Sequence, residues 1–245
     1  MILSRTDVEL PIFGVTNLDR AYNKMDDQRV LISAKSFHIF GATESWLSDM
    51  HSDDFFSIDG FDLFREDRSD GRIGGGVILW AKSSLRPIKY QPKGYHFGSD
   101  SVWILMHASK ICFICIYIPP SSVIKFSTSV ISFLAQNIDD ILIAYPQYEI
   151  IITGDFNRTN IGYLSTSFDL KNIVTEPTRG NAILDIVLLG SSFSDKYEVD
   201  VGPPVANSDH KTVLCSPKTA DSSPQNRICT IHDLRKSNVA NLSTS

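Results

Sequence analysis

The 245-residue chain contains no apolar run long enough to span a membrane: the longest, Ile111 to Pro120, falls far short of the roughly 20 residues required. Met1 to Leu10 carries Arg5, Asp7 and Glu9 where a signal peptide would be apolar. A soluble, intracellular protein with no membrane partner is therefore expected. An excess of positive charge is also missing. Lys and Arg number 23 against 28 Asp and Glu, a net charge of −5, which argues against gripping nucleic acid through bulk charge. Cysteine is scarce, with four in all. The only close pair, Cys112 and Cys115, lies three apart in a strand-like run and so faces opposite ways, while Cys215 and Cys229 have no His at finger spacing. Buried small hydrophobes are expected in place of a zinc knuckle. The glycine-rich stretch Gly71 to Gly76 has neither the Lys-Ser/Thr of a phosphate-binding loop nor the helix of a dinucleotide turn, and reads as a tight turn into the strand from Val77.

What the sequence does have is a series of short apolar runs divided by turn residues: Leu10 to Val15, Phe37 to Ala42, Gly75 to Ala81, Ser101 to His107, Ile111 to Ile118, Glu149 to Thr153, Ile183 to Leu189 and Lys211 to Cys215. Each is strand-sized. Helical spacing is clearest at Phe126, Val130, Phe133 or Leu134, and Ile141 or Leu142, stopped by Pro146, with a weaker helix at Met25 to Ser36. Many strands and few long helices, with two adjacent strands joined by Ala108-Ser109-Lys110, predict an α/β (α+β) sandwich of mixed sheets. From Ser216 the composition turns to Ser, Thr, Pro, Asn and charge. One domain is therefore expected over residues 8–216, followed by a polar, disordered tail or linker over 217–245.

Several apolar strands end in polar groups. Ile150-Ile151-Ile152-Thr153 leads to Gly154-Asp155-Phe156-Asn157, where a carboxylate able to deprotonate water stands two residues from an amide able to donate to a phosphate oxygen. An Asx turn explains the same residues equally well. Asp185 interrupts an apolar run and needs a partner if buried; His210, in Ser208-Asp209-His210, is the candidate. Glu44 in Thr43-Glu44-Ser45-Trp46-Leu47, and Asn17 with Asp19, also follow apolar strands, where either capping or metal binding is open to them. Recurrence carries the functional reading, because α/β folds gather catalytic groups at strand ends.

The ordered set Thr16-Asn17, Thr43 to Leu47, Tyr117-Ile118-Pro119-Pro120, Gly154 to Asn157, Leu184-Asp185 and Ser208 to His210 resembles the endonuclease/exonuclease/phosphatase superfamily. Glu44 to Leu47, Arg65 to Arg68 followed by Gly74 to Val77, and Tyr117 to Pro120 are most similar to the apurinic-type endonuclease domain of non-LTR retrotransposons. The resemblance implies a DNase I-like four-layer sandwich and a Mg²⁺-dependent phosphodiesterase, with Mn²⁺ as a substitute. It assigns Glu44 to the metal with Asn17, Asp19 and Asp209 in support, Asp155 to the attacking water, Asn157 and Tyr117 to the phosphate, and Asp185 to orienting His210, which stabilises the phosphorane. It further implies nicking of one DNA strand to leave a 3′-hydroxyl, a nuclear site of action, and partnership with a reverse transcriptase region if the chain is part of a longer polyprotein.

Leu18-Asp19-Arg20 stands where the retrotransposon domains carry Arg-Ser-Leu and is closer to the Asn-x-Asp of the cellular apurinic enzymes, whereas Pro120 stands where those enzymes carry Asn, a departure that favours nicking of ordinary duplex DNA over abasic sites. Residues 65 to 93 hold seven basic residues against three acidic, a local +4. Arg65, Arg68 and Arg72 from this stretch, with Arg158 and Arg179, are candidate DNA contacts; a solvated, charge-mixed edge is the competing reading. Two other functions stand beside nicking: hydrolysis of phosphoinositides or small phosphoesters by the same site, and a catalytically silent relic or binding domain.

Overall fold

A computed structural model describes residues 10–69, 71–94 and 98–218. Its twelve strands are β1 (Phe13–Asn17), β2 (Ile39–Thr43), β3 (Phe61–Glu66), β4 (Val77–Lys82), β5 (Ile88–Tyr90), β6 (Asp100–Met106), β7 (Ile111–Tyr117), β8 (Glu149–Asp155), β9 (Leu170–Asn172), β10 (Asp185–Gly190), β11 (Tyr197–Pro204) and β12 (Lys211–Pro217). The helices are α1 (Met25–Ala34), α2 (Asp53–Phe56), α3 (Pro120–Lys125), α4 (Ser127–Ala144), α5 (Gly162–Ser167) and α6 (Ser191–Ser194). The expected tail lies almost wholly outside the described residues.

The strands form two six-stranded sheets, ordered β11-β12-β1-β2-β4-β3 and β5-β6-β7-β8-β10-β9. In each sheet one central pair is parallel, β1 with β2 and β7 with β8, and the other neighbours are antiparallel. The sheets pack face to face over Phe13, Val15, Ile39, Leu79, Ile104, Phe113, Cys115, Ile151 and Val187, all buried. Phe13 meets Phe113 edge-on, with ring centroids 5.4 Å apart, in one of the contacts that join the layers.

Helices cover the outer faces. Along α4, Val130, Leu134, Ile138 and Ile141 recur at three- and four-residue steps and pack on Ile114, Ile116 and Ile152. The expected period is present, except that Phe126 precedes the helix and is exposed. On the other sheet, Met25 and Ile32 of α1 cover Phe40 and Trp80. Cys112 faces the α4 layer and Cys115 the inter-sheet core, as three-residue spacing on a strand requires. No helix among the described residues is long and apolar enough to cross a membrane.

Four strands have no counterpart among the predicted runs: β3, β5, β9 and β11. They are the four edges of the two sheets. An edge strand is paired on one side only and carries little apolar patterning; β5 is largely exposed, and β11 alternates buried Tyr197 with exposed Glu198 and Asp200.

Candidate active site

The two parallel pairs explain where the polar residues meet. Parallel neighbours end at the same rim, so β1 and β2 deliver Asn17 and Glu44 together, and β7 and β8 deliver Tyr117 and Asp155. Antiparallel β10 and β12 begin at that rim, contributing Asp185 and, one residue before Lys211, His210. Each polar side chain continues an inward-facing row: Phe13 and Val15 lead to Asn17, Phe113 and Cys115 to Tyr117, and Leu189 and Val187 to Asp185. Register sets Tyr117, Asp155 and Asp185 side by side across one sheet.

Glycine is required immediately before the central carboxylate. Gly154 has a φ of 135°, and a Cβ there would lie 1.9 Å from the carbonyl oxygen of Ile116 on β7. The close approach turns the end of β8. Asp155 then receives hydrogen bonds from Asn17 Nδ2 at 2.9 Å and from the Asn157 backbone N–H at 2.8 Å. Asn157, in the left-handed region at φ 50°, donates its amide Nδ2 to the Ile118 carbonyl at 2.8 Å, tying the ends of β7 and β8 together.

His210 Nδ1 and Asp185 Oδ2 are 2.7 Å apart, and both side chains are buried. This geometry fixes the tautomer and leaves Nε2 for chemistry. Thr178 holds the pair in place: its Oγ1 accepts from the backbone N–H groups of Leu184 and Asp185, each at 3.0 Å, and its carbonyl accepts from Lys211 N at 2.7 Å. Ser208 Oγ donates to the Asn17 carbonyl at 2.6 Å and accepts from His210 N at 3.1 Å, linking the His loop to β1. Asp155, Asp185 and His210 each offer an atom within 4.8 Å of the others. Burial, followed by the Asp185 charge, pushes the Asp155 carboxyl up to about 7; His210 and the hydrogen bonds from Asn17 and Asn157 oppose the rise. For His210, burial works against the imidazolium, but the Asp185 hydrogen bond and charge, with Asp155, outweigh it and raise the pKa.

Glu44 occupies the second part of the site, beyond the end of β2. The Tyr117 hydroxyl donates to its Oε1, and Trp46 Nε1 donates to its Oε2 at 2.6 Å. Asp19, Arg20, Glu44 and Trp46 all have positive φ, between 43° and 76°, an uncommon state for residues with a Cβ. Neighbouring backbone holds them: Arg20 N and Ala21 N bond to the carbonyls of Glu44 and Ser45, and Trp46 N bonds to that of Gly75. Buried Lys24 donates to the carbonyls of Leu18 and Asp19, and burial lowers its pKa.

The donor set suits a hard divalent cation such as Mg²⁺ or Mn²⁺, which takes carboxylate and amide oxygens. Asp185 Oδ1 provides the test of fit: it is buried, accepts no hydrogen bond, and lies beside a second buried carboxylate. Such a pair needs a shared proton or a nearby cation. Glu44 presents a further carboxylate, oriented by two neutral donors.

The structure thus joins Asn17, Glu44, Tyr117, Asp155, Asn157, Asp185 and His210 at one rim. Asp209 lies beside them, 3.9 Å from His210 Nε2, and pairs with Arg179 at 2.6 Å; Asp19 reaches the site through its backbone N–H, given to Asn17 Oδ1. The arginines from the basic stretch behave differently. Arg65 pairs with Asp53 and Asp67, and Arg68 forms a buried pair with Asp100 and lies over the Tyr117 ring. Their charge is spent within the protein, as the solvated-edge reading requires for Lys89 with Glu66 as well. Arg72 and Arg158 are exposed. Sequence reading did not identify Thr178 or Trp46; a hydroxyl close before the Asp185 strand, and a Trp two residues past a strand-end Glu, are the signals available.

The fold is DNase I-like, that of the endonuclease/exonuclease/phosphatase proteins. Among solved structures, the endonuclease domain of TRAS1, a telomere-specific non-LTR retrotransposon, is similar at a TM-score of 0.64 and 15% identity, covering 86% of this chain and all of that one. The AP endonuclease LMAP from Leishmania major gives 0.63 and 11%, over 84% and 87%. The mannosyl-6-phosphatase Bt3783 of Bacteroides thetaiotaomicron gives 0.56 and 14%, over 86% and 100%. No protein-family model and no curated protein matches the chain.

Proposed function

We propose that the protein is a divalent-metal-dependent phosphodiesterase that nicks one strand of duplex DNA and leaves a 3′-hydroxyl. The observation that carries this reading is the buried cluster of Asp155, Asp185 and His210. It combines a carboxyl poised near neutrality with an imidazole whose protonated form is favoured. Asp155 accepts the proton of an attacking water, a role that its raised pKa strengthens. His210, oriented through Nδ1 by Asp185, presents an Nε2–H to the charge that develops on the phosphoryl oxygens. Asn157 retains one amide N–H for a phosphate oxygen. Glu44 and Asn17 would hold Mg²⁺ or Mn²⁺, with Asp19 and Asp209 at the margin. When bound, the ion supplies charge neutralisation at the phosphate.

By likeness to the TRAS1 domain, the 3′-hydroxyl would serve as a primer for a reverse transcriptase region of the same polyprotein, on nuclear DNA. Arg158 and Arg179, on the exposed side, are the arginines best placed among the candidates to meet phosphates; Arg179 would do so together with Asp209. Hydrolysis of phosphomonoesters is the second reading, supported by the mannosyl-6-phosphatase neighbour. The test is nicking of supercoiled plasmid with Mg²⁺, with Mn²⁺ and with EDTA, run beside turnover of soluble phosphoesters and phosphoinositides. Nicking that needs metal and disappears in Asp155→Ala and His210→Ala supports the nuclease; turnover of monoesters alone overturns it in favour of the phosphatase. Inactivity on every substrate supports the silent domain.

A further inference from the structure

We infer that Trp46 is a positioning residue for the metal carboxylate, an inference that rests on the proposed role of Glu44. The indole Nε1 donates to Glu44 Oε2 at 2.6 Å, while the Tyr117 hydroxyl occupies Oε1, so both oxygens of the carboxylate are oriented by neutral donors. A carboxylate held in this way loses its rotational freedom, and orienting the ligand is what groups around a metal ligand contribute to affinity.

Three features hold the indole in position. Trp46 lies in the left-handed region at φ 56°, a costly state for a bulky residue, and its backbone N–H is tied to the Gly75 carbonyl at 2.8 Å. The Arg20 guanidinium lies 4.3 Å from the ring centroid. Gly74 abuts the indole so closely that a Cβ there would lie 3.0 Å from Cε2 and 3.2 Å from Nε1. The glycine cluster before β4 therefore makes room for an indole whose N–H is aimed at Glu44. An apolar packing role alone would leave no reason for the short N–H contact to a carboxylate.

The test is direct binding of Mn²⁺ to the metal-free protein, followed by the electron paramagnetic resonance signal of the free ion, with Mg²⁺-dependent nicking as a second readout. Trp46→Phe keeps the ring and removes the donor. It is expected to weaken Mn²⁺ binding about tenfold, at the lower end of what loss of such a group costs, and to raise the Mg²⁺ concentration for half-maximal nicking in step, with kcat at saturating metal near the parent's. Gly74→Ala, which displaces the ring and leaves Trp46 in the chain, is expected to act in the same direction, so the inference remains testable if one variant fails to fold. Arg20→Gln removes the stacked cation but not the N–H and is expected to weaken Mn²⁺ binding in the same direction but by less than Trp46→Phe. Unchanged Mn²⁺ affinity in a folded Trp46→Phe protein overturns the inference. Unchanged affinity in Glu44→Gln instead overturns the metal assignment beneath it.

Discussion

The two parts of the candidate site are built in opposite ways. Asp155, Asp185 and His210 are no more than 2% exposed and stand on or directly before strands; the register of β7, β8 and β10 sets the two carboxylates, and Asp185 holds the imidazole that precedes β12. Glu44 lies past the end of β2, itself and Trp46 in the left-handed backbone region, partly open to solvent and held by side-chain donors. Burial raises the pKa of Asp155, while the Asp185 hydrogen bond and charge raise that of His210 against the effect of burial. The second group stays accessible, as the proposed metal role of Glu44 requires. Under the proposed function, chemistry that needs perturbed proton affinity would lie where the sheets exclude water, and ion capture where the chain leaves them.

The largest effects should fall on the buried part. Asp155→Asn removes the base and is expected to lower the nicking rate about 10³-fold at every metal concentration, a typical cost of losing general-base catalysis. Glu44→Gln should produce a defect that raising Mg²⁺ largely recovers. Rates of both variants measured across a metal titration separate the two behaviours; recovery of Asp155→Asn by metal would erase the contrast.

Two glycines extend the comparison to stability. Gly154→Ala forces a Cβ into the Ile116 carbonyl, a backbone atom that cannot move aside without breaking the β7–β8 pairing. A loss of about 3 kcal/mol or more is expected in denaturant unfolding, from steric strain together with the positive φ. Gly74→Ala meets only the edge of the Trp46 ring and should cost about 1 kcal/mol, mainly for its φ of 82°. Equal losses would mean that the two parts are equally embedded.

Asp185→Asn comes next. Asn can still accept from the imidazole but carries no charge to favour the imidazolium. A drop in rate of about 10²-fold is expected at saturating metal, in line with the loss of one electrostatic stabiliser.

The same contrast governs how much was legible in the sequence. The eight central strands announce themselves as apolar runs because both faces are covered, and the polar residues ending their inward rows, Asn17, Tyr117, Asp155 and Asp185, stand out against Val15, Cys115, Thr153 and Val187. The pairing of Asp185 with His210 could be anticipated because a lone acid in a buried strand requires a partner. The four edge strands were not visible, since one-sided pairing imposes little pattern. Trp46 and Thr178 were also missed, because their roles depend on left-handed backbone and loop contacts that leave no periodic trace. The basic stretch was open to two readings for a related reason: a local charge count cannot show which partners the fold supplies, and Arg65 and Arg68 are set against Asp67 and Asp100.

The smallest effect expected is a dependence of stability on pH that belongs to the buried part alone. His210 has a folded pKa raised above its unfolded value near 6.5, so its contribution is complete below that pH and is lost as pH rises through the folded value. Asp155 acts in the same direction, contrary to most carboxyls. Its folded pKa of about 7 lies above the ordinary carboxyl value of 3.8, so the folded state binds the extra proton and stability falls as pH climbs between the two. In EDTA, the melting temperature should therefore decline from about pH 5.5 to 8, by the few degrees that about 1–2 kcal/mol represents for a chain of this size. Asp155→Asn, which cannot ionise, should remove most of the slope, and saturating Mg²⁺ should flatten it by favouring the deprotonated carboxyl. Glu44→Gln should leave the metal-free slope intact. A metal-free melting temperature that rises over this range would show that ionised Asp155 is stabilised by the fold, and would remove the proposed distinction between a buried part that tunes protons and an open part that captures metal.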